Sequence, residues 1–286
     1  MIHLLLGGVV AYGVAVTGMY LLQDTLLFPR AAVRFPASAL PPRAERVVLQ
    51  SVDGDPLVGT LLPALGTSRG LLVGFGGNAW NADDLALFLG ERAPDFDLVV
   101  FHYRGYQPSG GRPSEHALYA DAVTVHDWAV GRLAPPRVYA VGFSLGSAVA
   151  AYLASQRQLD GLVLVTPFDS IEAIALERYP WVPVRALLRH PFRADAHLRG
   201  RDLPVAVIAA SEDRIVPKER TEALAAMLAR PVLVASVPDA THNGIYDHEL
   251  FDRLFRQAFA RLDDADRAAR ERGEPSRTRA AEAVGG

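Results

Sequence analysis

The sequence contains no cysteine, which excludes a disulfide framework, a thiolate metal site and a cysteine nucleophile. Concentrated positive charge is missing too. The formal charge is -3 and the arginines are scattered, so the chain lacks the basic face that binding to a phosphate backbone requires, and nucleic acid is not an expected partner. The glycines of GFGGNAWNADD are followed by neither a G-K-[ST] ending nor G-x-G-x-x-G spacing, so they do not make a phosphate loop. The apolar amino end lacks the basic n-region and A-x-A-like site of a cleaved signal peptide. No internal repeat is visible.

What is present suffices for one large domain. The chain has 286 residues, of which 50% are hydrophobic, enough to bury a sizeable core. From Ile2 to Leu22 there is no Asp, Glu, Lys or Arg. As a helix rising 1.5 Å per residue this run covers about 30 Å, the thickness of a bilayer's hydrocarbon core. Residues 1–23 are therefore expected to form an N-terminal transmembrane helix, with the membrane as a partner. Arg30, Arg34, Arg43 and Arg46 follow it, which leans the domain toward the cytoplasmic side by the positive-inside rule. Residues 24–42 contain several prolines and neither a helix nor a strand period, so they read as a linker.

From residue 43 to 262, short apolar runs alternate with longer amphipathic segments. The runs VVLQSV, LVGTLL, LLVGF, LVVFHY, RVYAV, LVLVT, VAVIAA and VLVASV predict eight strands. Most are apolar at nearly every position, as strands covered on both faces must be, and helical crossovers between them make the sheet mostly parallel. The first two are close together and predict an antiparallel start. Helices are expected at 82–92, 114–133, 145–156, 217–228 and 244–262. Residues 168–202 read as a small cap, in which Trp181 and the leucines of YPWVPVRALL either line an acyl pocket, touch a bilayer, or close the core beneath a crossover. Residues 263–286 are charged and poor in large apolar side chains, which predicts a frayed tail.

The chemistry centres on Gly142-Phe143-Ser144-Leu145-Gly146. This G-x-S-x-G lies between strand RVYAV and the small-residue helix SAVAAYLA, the setting in which a sharp turn projects a serine from the carboxyl edge of a sheet. A serine hydroxyl attacks only if a base takes its proton and an acid orients that base. In this arrangement the chain order is serine, acid, histidine. His242 lies just past the last strand, whereas His102, His116 and His126 precede the serine and His248 falls in the following helix. Asp213, after the seventh strand, is the preferred acid, with Asp169 as fallback and Glu212 and Asp239 as further rivals. Backbone N–H groups of Leu145 and, from the loop after the third strand, Asn78 are candidates for the oxyanion site.

Taken together, LLQDTLLFPR, GFGGNAWN, FHYRGYQPSGGRPSE, GFSLGSAVA, SEDRIVP and THN resemble the α/β-hydrolase superfamily. More narrowly, they resemble its membrane-anchored serine hydrolases related to bud-emergence proteins. The resemblance implies an α/β-hydrolase fold, with Ser144 as nucleophile, Asp213 as acid, His242 as base, and Asn78 with Leu145 at the oxyanion site. It implies hydrolysis of carboxylic esters or thioesters, lipid and acylated-protein substrates included, with no metal and no cofactor. The same triad would equally serve a peptidase or amidase, and a noncatalytic scaffold is the reading from another class. In one place the chain departs from the pattern: Gly76-Gly77 stands where relatives commonly have His-Gly, so a buttressing hydrogen bond is expected to be missing from that loop.

Overall fold

The computed structural model describes residues 2–33 and 39–271. Its centre is one eight-stranded sheet: β1 (Glu45–Gln50), β2 (Pro56–Leu62), β3 (Leu71–Phe75), β4 (Asp97–Phe101), β5 (Val138–Phe143), β6 (Gly161–Val165), β7 (Val205–Ala210) and β8 (Pro231–Val237). The spatial order is β1-β2-β4-β3-β5-β6-β7-β8. β1 and β2 pair antiparallel, as does β2 with β4, and every other ladder is parallel. In the centre Val73 is in register with Val99 on one side and Ala140 on the other. All three are fully buried, which explains why these strands are apolar at consecutive positions.

Helices cover both faces. On one lie α2 (Ala82–Arg92) and α9 (Glu249–Glu271); on the other lie α3 (Glu115–Leu133), α4 (Leu145–Gln156) and α8 (Lys218–Ala226). Asn81 caps α2 by accepting from Asp83 N–H, and Ser114 caps α3 by accepting from Ala117 N–H. Between β6 and β7 three short helices, α5 (Ile171–Arg178), α6 (Val184–Leu187) and α7 (Ala194–Leu198), occupy the segment expected to be a cap.

Both ends of the domain differ from the sequence expectation. The apolar amino-terminal helix, α1 (Ile2–Leu27), does not stop at residue 23. The chain after it is docked rather than free. Phe28 is buried, with its ring edge-on to Phe192 at 6.2 Å, and Val33 is buried as well. Asp24 pairs with Arg189 at 2.9 Å. The rest of the expected linker includes residues 34–38, which lie outside the described residues.

At the other end, the helix expected at 244–262 begins with a 3-10 turn at Gly244–Asp247, and α9 then runs to Glu271. Residues 263–271, expected to be part of a frayed tail, are therefore helical. Asp263 receives hydrogen bonds from Arg137 at 3.2 Å and from the Tyr139 hydroxyl at 3.1 Å, and it pairs with Arg69. Asp266 pairs with Arg137 at 3.0 Å. These charges belong to a structured helix because their partners come from the start of β5 and the turn before β3. Residues 272–286 lie outside the described residues.

Candidate active site

The carboxyl edge of the sheet brings together residues far apart in sequence. Ser144 follows β5 directly, with φ 50° and ψ -116°, a backbone conformation that non-glycine residues rarely adopt. Two features hold it there. Its N–H donates to the Val165 carbonyl at 2.9 Å, and its own carbonyl accepts from the Ser147 hydroxyl at 2.6 Å. The flanking glycines permit the turn for a steric reason. A Cβ at Gly142 would lie 2.3 Å from the Gly146 oxygen, and one at Gly146 would lie 2.1 Å from the Phe75 oxygen.

Ser144 Oγ lies 2.9 Å from His242 Nε2, and His242 Nδ1 lies 2.6 Å from Asp213 Oδ2. The other carboxylate oxygen of Asp213 accepts from the N–H groups of Ile215 and Val216 at 2.9 and 2.8 Å. Both imidazole and carboxylate are buried. With Asp213 ionised, Nδ1 carries the proton and Nε2 is left to accept from the serine hydroxyl.

The competing residues are placed elsewhere. Asp169 pairs with Arg220 at 3.0 Å, and burial pushes its carboxyl up. Glu212 and Asp239 are exposed, the latter in a turn at φ 54°. His102 and His126 are buried away from the serine, and His248 precedes α9, where its Nδ1 accepts from Leu250 N–H at 3.1 Å.

Asn78 and Leu145 line the same cavity as Ser144 and His242. The loop that carries Asn78 is braced by residues the sequence reading did not assign. The Tyr103 hydroxyl donates to the Gly76 carbonyl at 2.7 Å, and the Tyr106 hydroxyl donates to the Asn78 carbonyl at 2.8 Å. Asn78 also donates its side-chain amide to the Leu27 carbonyl at 3.1 Å, at the end of α1. The glycine pair thus leaves the loop supported from outside by the two tyrosines of YRGY. Burial raises both phenols, which keeps them protonated and donating. Tyr246, beside Trp80 at 4.8 Å between ring centres, is likewise pushed up to about 12 by burial.

The cavity has a volume of about 800 Å³ and is walled chiefly by apolar side chains. Ile171, Ile174, Val182, Val184, Leu187 and Leu188 contribute from the segment after β6. Trp181 does not line it; the residue is 48% exposed and its ring meets Tyr12 of α1. Among the described residues, no group of three or more His, Asp or Glu side chains is placed to hold a metal ion.

A serine on a strained strand-to-helix turn, hydrogen-bonded to a histidine at the carboxyl edge of a mostly parallel sheet, defines the hydrolase class of this architecture. Residues 71–201 match the family described as alpha/beta hydrolase fold. Over 261 residues the chain is 36% identical to the uncharacterized protein MT2364 of Mycobacterium tuberculosis, covering 88% of this chain and 91% of that one. It belongs to the alpha/beta hydrolase family. A shorter match, 30% identical over 142 residues, is to the lysophosphatidylserine lipase ABHD12 of Danio rerio, covering 43% of this chain and 37% of that one. In three dimensions the chain is similar to a crystal structure of an alpha-beta hydrolase from Vibrio vulnificus, with a TM-score of 0.65 and 21% identity, covering 85% of this chain and 91% of that one.

Proposed function

We propose that the protein is a membrane-tethered serine hydrolase that cleaves acyl esters or thioesters through an acyl-enzyme intermediate. The observation that carries this reading is the Asp213–His242–Ser144 hydrogen-bond relay, at 2.6 and 2.9 Å, opening on a large apolar cavity. Ser144 Oγ attacks the acyl carbonyl while His242 Nε2 takes its proton. The carbonyl oxygen becomes an oxyanion, received by the N–H groups of Leu145, at the amino end of α4, and Asn78. The C–O or C–S bond to the leaving group then breaks as His242 returns the proton to it. Water, deprotonated by His242, attacks the acyl-serine and releases the carboxylic acid. The name of the Danio rerio relative, a lipase, is consistent with an acyl ester as substrate.

A fluorophosphonate probe is expected to label the wild type and to leave Ser144→Ala unlabelled; equal labelling of both removes this serine from the reaction. Amide cleavage by the same relay is the second reading, and the apolar cavity favours an acyl chain over a peptide. Relative turnover of a p-nitrophenyl ester and its matched anilide separates the two. A folded protein that takes no label at all would instead be a binding scaffold.

Tethering rests on α1, whose apolar stretch is long enough to cross a membrane and none of whose residues is buried. Retention in the membrane fraction after alkaline carbonate, with the intact mass of the uncleaved chain, is the expected result. A mass lacking the first helix would make it a signal sequence.

A further inference from the structure

α1 is fixed against the domain more tightly than a tether requires. The Tyr12 hydroxyl donates to the Trp181 carbonyl at 2.9 Å. Gln23 donates to the Leu187 carbonyl at 3.2 Å and accepts from Arg189 N–H at 2.8 Å. Asp24 pairs with Arg189 at 2.9 Å and with His190 at 3.3 Å, and the Leu27 carbonyl accepts from Asn78. These polar contacts hold one helix in a set register from the oxyanion loop to Trp181.

Between those pins, Val16, Met19, Leu26 and Leu27 line the cavity that Ser144 and His242 also line. A second wall, in contact with α1 through Trp181 and Leu187, is the segment from Ile171 to Leu188. Apolar walls gain nothing from water, and they gain most from an apolar guest that displaces it. The rise from Val16 to Leu27 is about 17 Å at 1.5 Å per residue. At about 1.2 Å per bond, as in an extended backbone, that distance accommodates a chain of about fourteen carbons.

We infer that α1 is a wall of the acyl-binding site and its length gauge. The acyl chain of the substrate lies between the Val16–Leu27 stretch of α1 and the Ile171–Leu188 segment, its carbonyl at Ser144 and its tail toward Val16. This rests on the serine-hydrolase reading for the placement of the carbonyl, and on the cavity alone for the placement of the chain. It makes an apparently generic apolar helix a specificity element. The shared chemistry is a long acyl chain, whether carried on an oxygen or a sulfur leaving group.

The experiment uses the full-length protein in detergent, with esters and thioesters graded from butyryl to palmitoyl. For the wild type, kcat/KM is expected to rise with chain length toward myristoyl. In Met19→Trp and Val16→Trp the palmitoyl-to-octanoyl ratio is expected to fall about tenfold or more, the discrimination a single extra group in an apolar pocket commands. Val10→Trp, on the stretch of α1 outside the cavity, is expected to leave the ratio where it was. A fall on both leaving groups assigns the effect to the chain; a fall on one alone, an unchanged ratio in both cavity variants, or the same fall in Val10→Trp overturns the inference.

A second measurement does not depend on these variants folding or on catalysis. Palmitic acid bearing a terminal diazirine is photolysed with Ser144→Ala, and the adducts are mapped by mass spectrometry. Adducts on residues 16–27, competed by plain palmitate, support the wall; adducts confined to residues 2–11 or elsewhere overturn it. If the folded wild type also ignores fluorophosphonate, the serine-hydrolase reading fails by itself, while the adduct pattern still decides what α1 does.

Discussion

The Tyr106 hydroxyl donates to the Asn78 carbonyl at 2.8 Å, and the phenol sits beneath a loop whose own sequence, Gly76-Gly77, offers no side chain to stiffen it. A donor held by a neighbour rather than by its own loop is useful in catalysis only if it does not move when charge develops in front of it. Tyr106→Phe removes the hydroxyl while keeping the ring, so packing against Tyr103 at 6.1 Å survives. The expected result is a kcat about tenfold lower, roughly 1.4 kcal/mol of barrier, with KM within about twofold of wild type. A rise in KM alone would make Tyr106 part of substrate binding, and no change would leave the loop independent of it.

Asp213 and Asp169 both follow strands at the same edge, yet only Asp213 contacts His242. Asp213→Asn is expected to lower kcat by about four orders of magnitude, since an amide no longer holds the imidazole in the tautomer the serine needs. Asp169→Asn is expected to retain kcat within about tenfold and to lose stability through Arg220 instead. Equal kinetic losses in both would mean that the relay does not run through Asp213.

Gly146 abuts the main chain of β3, where an added Cβ would lie 2.1 Å from the Phe75 oxygen. Backbone cannot yield there without separating α4 from the sheet, so Gly146→Ala is expected to destabilise by more than about 3 kcal/mol and to abolish labelling of Ser144. Gly131 lies within α3 with nothing within 4 Å of its would-be Cβ. There Gly131→Ala is expected to stabilise by about 0.5–1 kcal/mol. Thermal unfolding of the two variants beside wild type checks both signs.

These contrasts also show what a sequence can reveal of such a chain. The strands were legible because burial on both faces leaves apolar runs such as LLVGF and LVLVT, and antiparallel β1 and β2 were legible from their short connection. GFSLG was legible because the turn is local: its glycines, its serine and the helix after it are consecutive. What escaped depends on partners distant in sequence. Nothing in Asp263 or Asp266 announces that Arg69 and Arg137 will receive them, so the sequence predicts a last helix that ends at residue 262. Likewise, a helix apolar on every side has no face that tells which residues will line a cavity. The docking of Phe28 against Phe192 and the bracing of the Gly76–Asn78 loop by Tyr103 and Tyr106 are tertiary facts of the same kind.

Asp83, at the start of α2, provides a prediction about acid. Its carboxylate accepts from the Arg46 Nη1 and Nη2 groups at 2.7 and 2.8 Å and from the Thr60 hydroxyl at 2.7 Å. Burial pushes the carboxyl up, but hydrogen bonding from His102, Arg46 and Thr60 outweighs it and holds the group well below its ordinary value of 3.8. The folded chain therefore keeps Asp83 ionised at a pH where the unfolded chain has bound the proton. This contribution to stability is complete above 3.8 and is lost progressively as the pH falls below it toward the depressed folded value. Asp83→Asn is expected to destabilise by on the order of 2 kcal/mol at neutral pH. That is less than the ~3–5 kcal/mol of a fully buried pair, because Arg46 is 43% exposed and solvent screens it. Urea unfolding of wild type and variant across pH is then expected to show a constant gap above 3.8 that narrows in stronger acid. A gap that stays constant to the acid limit would show that the proton uptake of unfolding comes from other carboxylates.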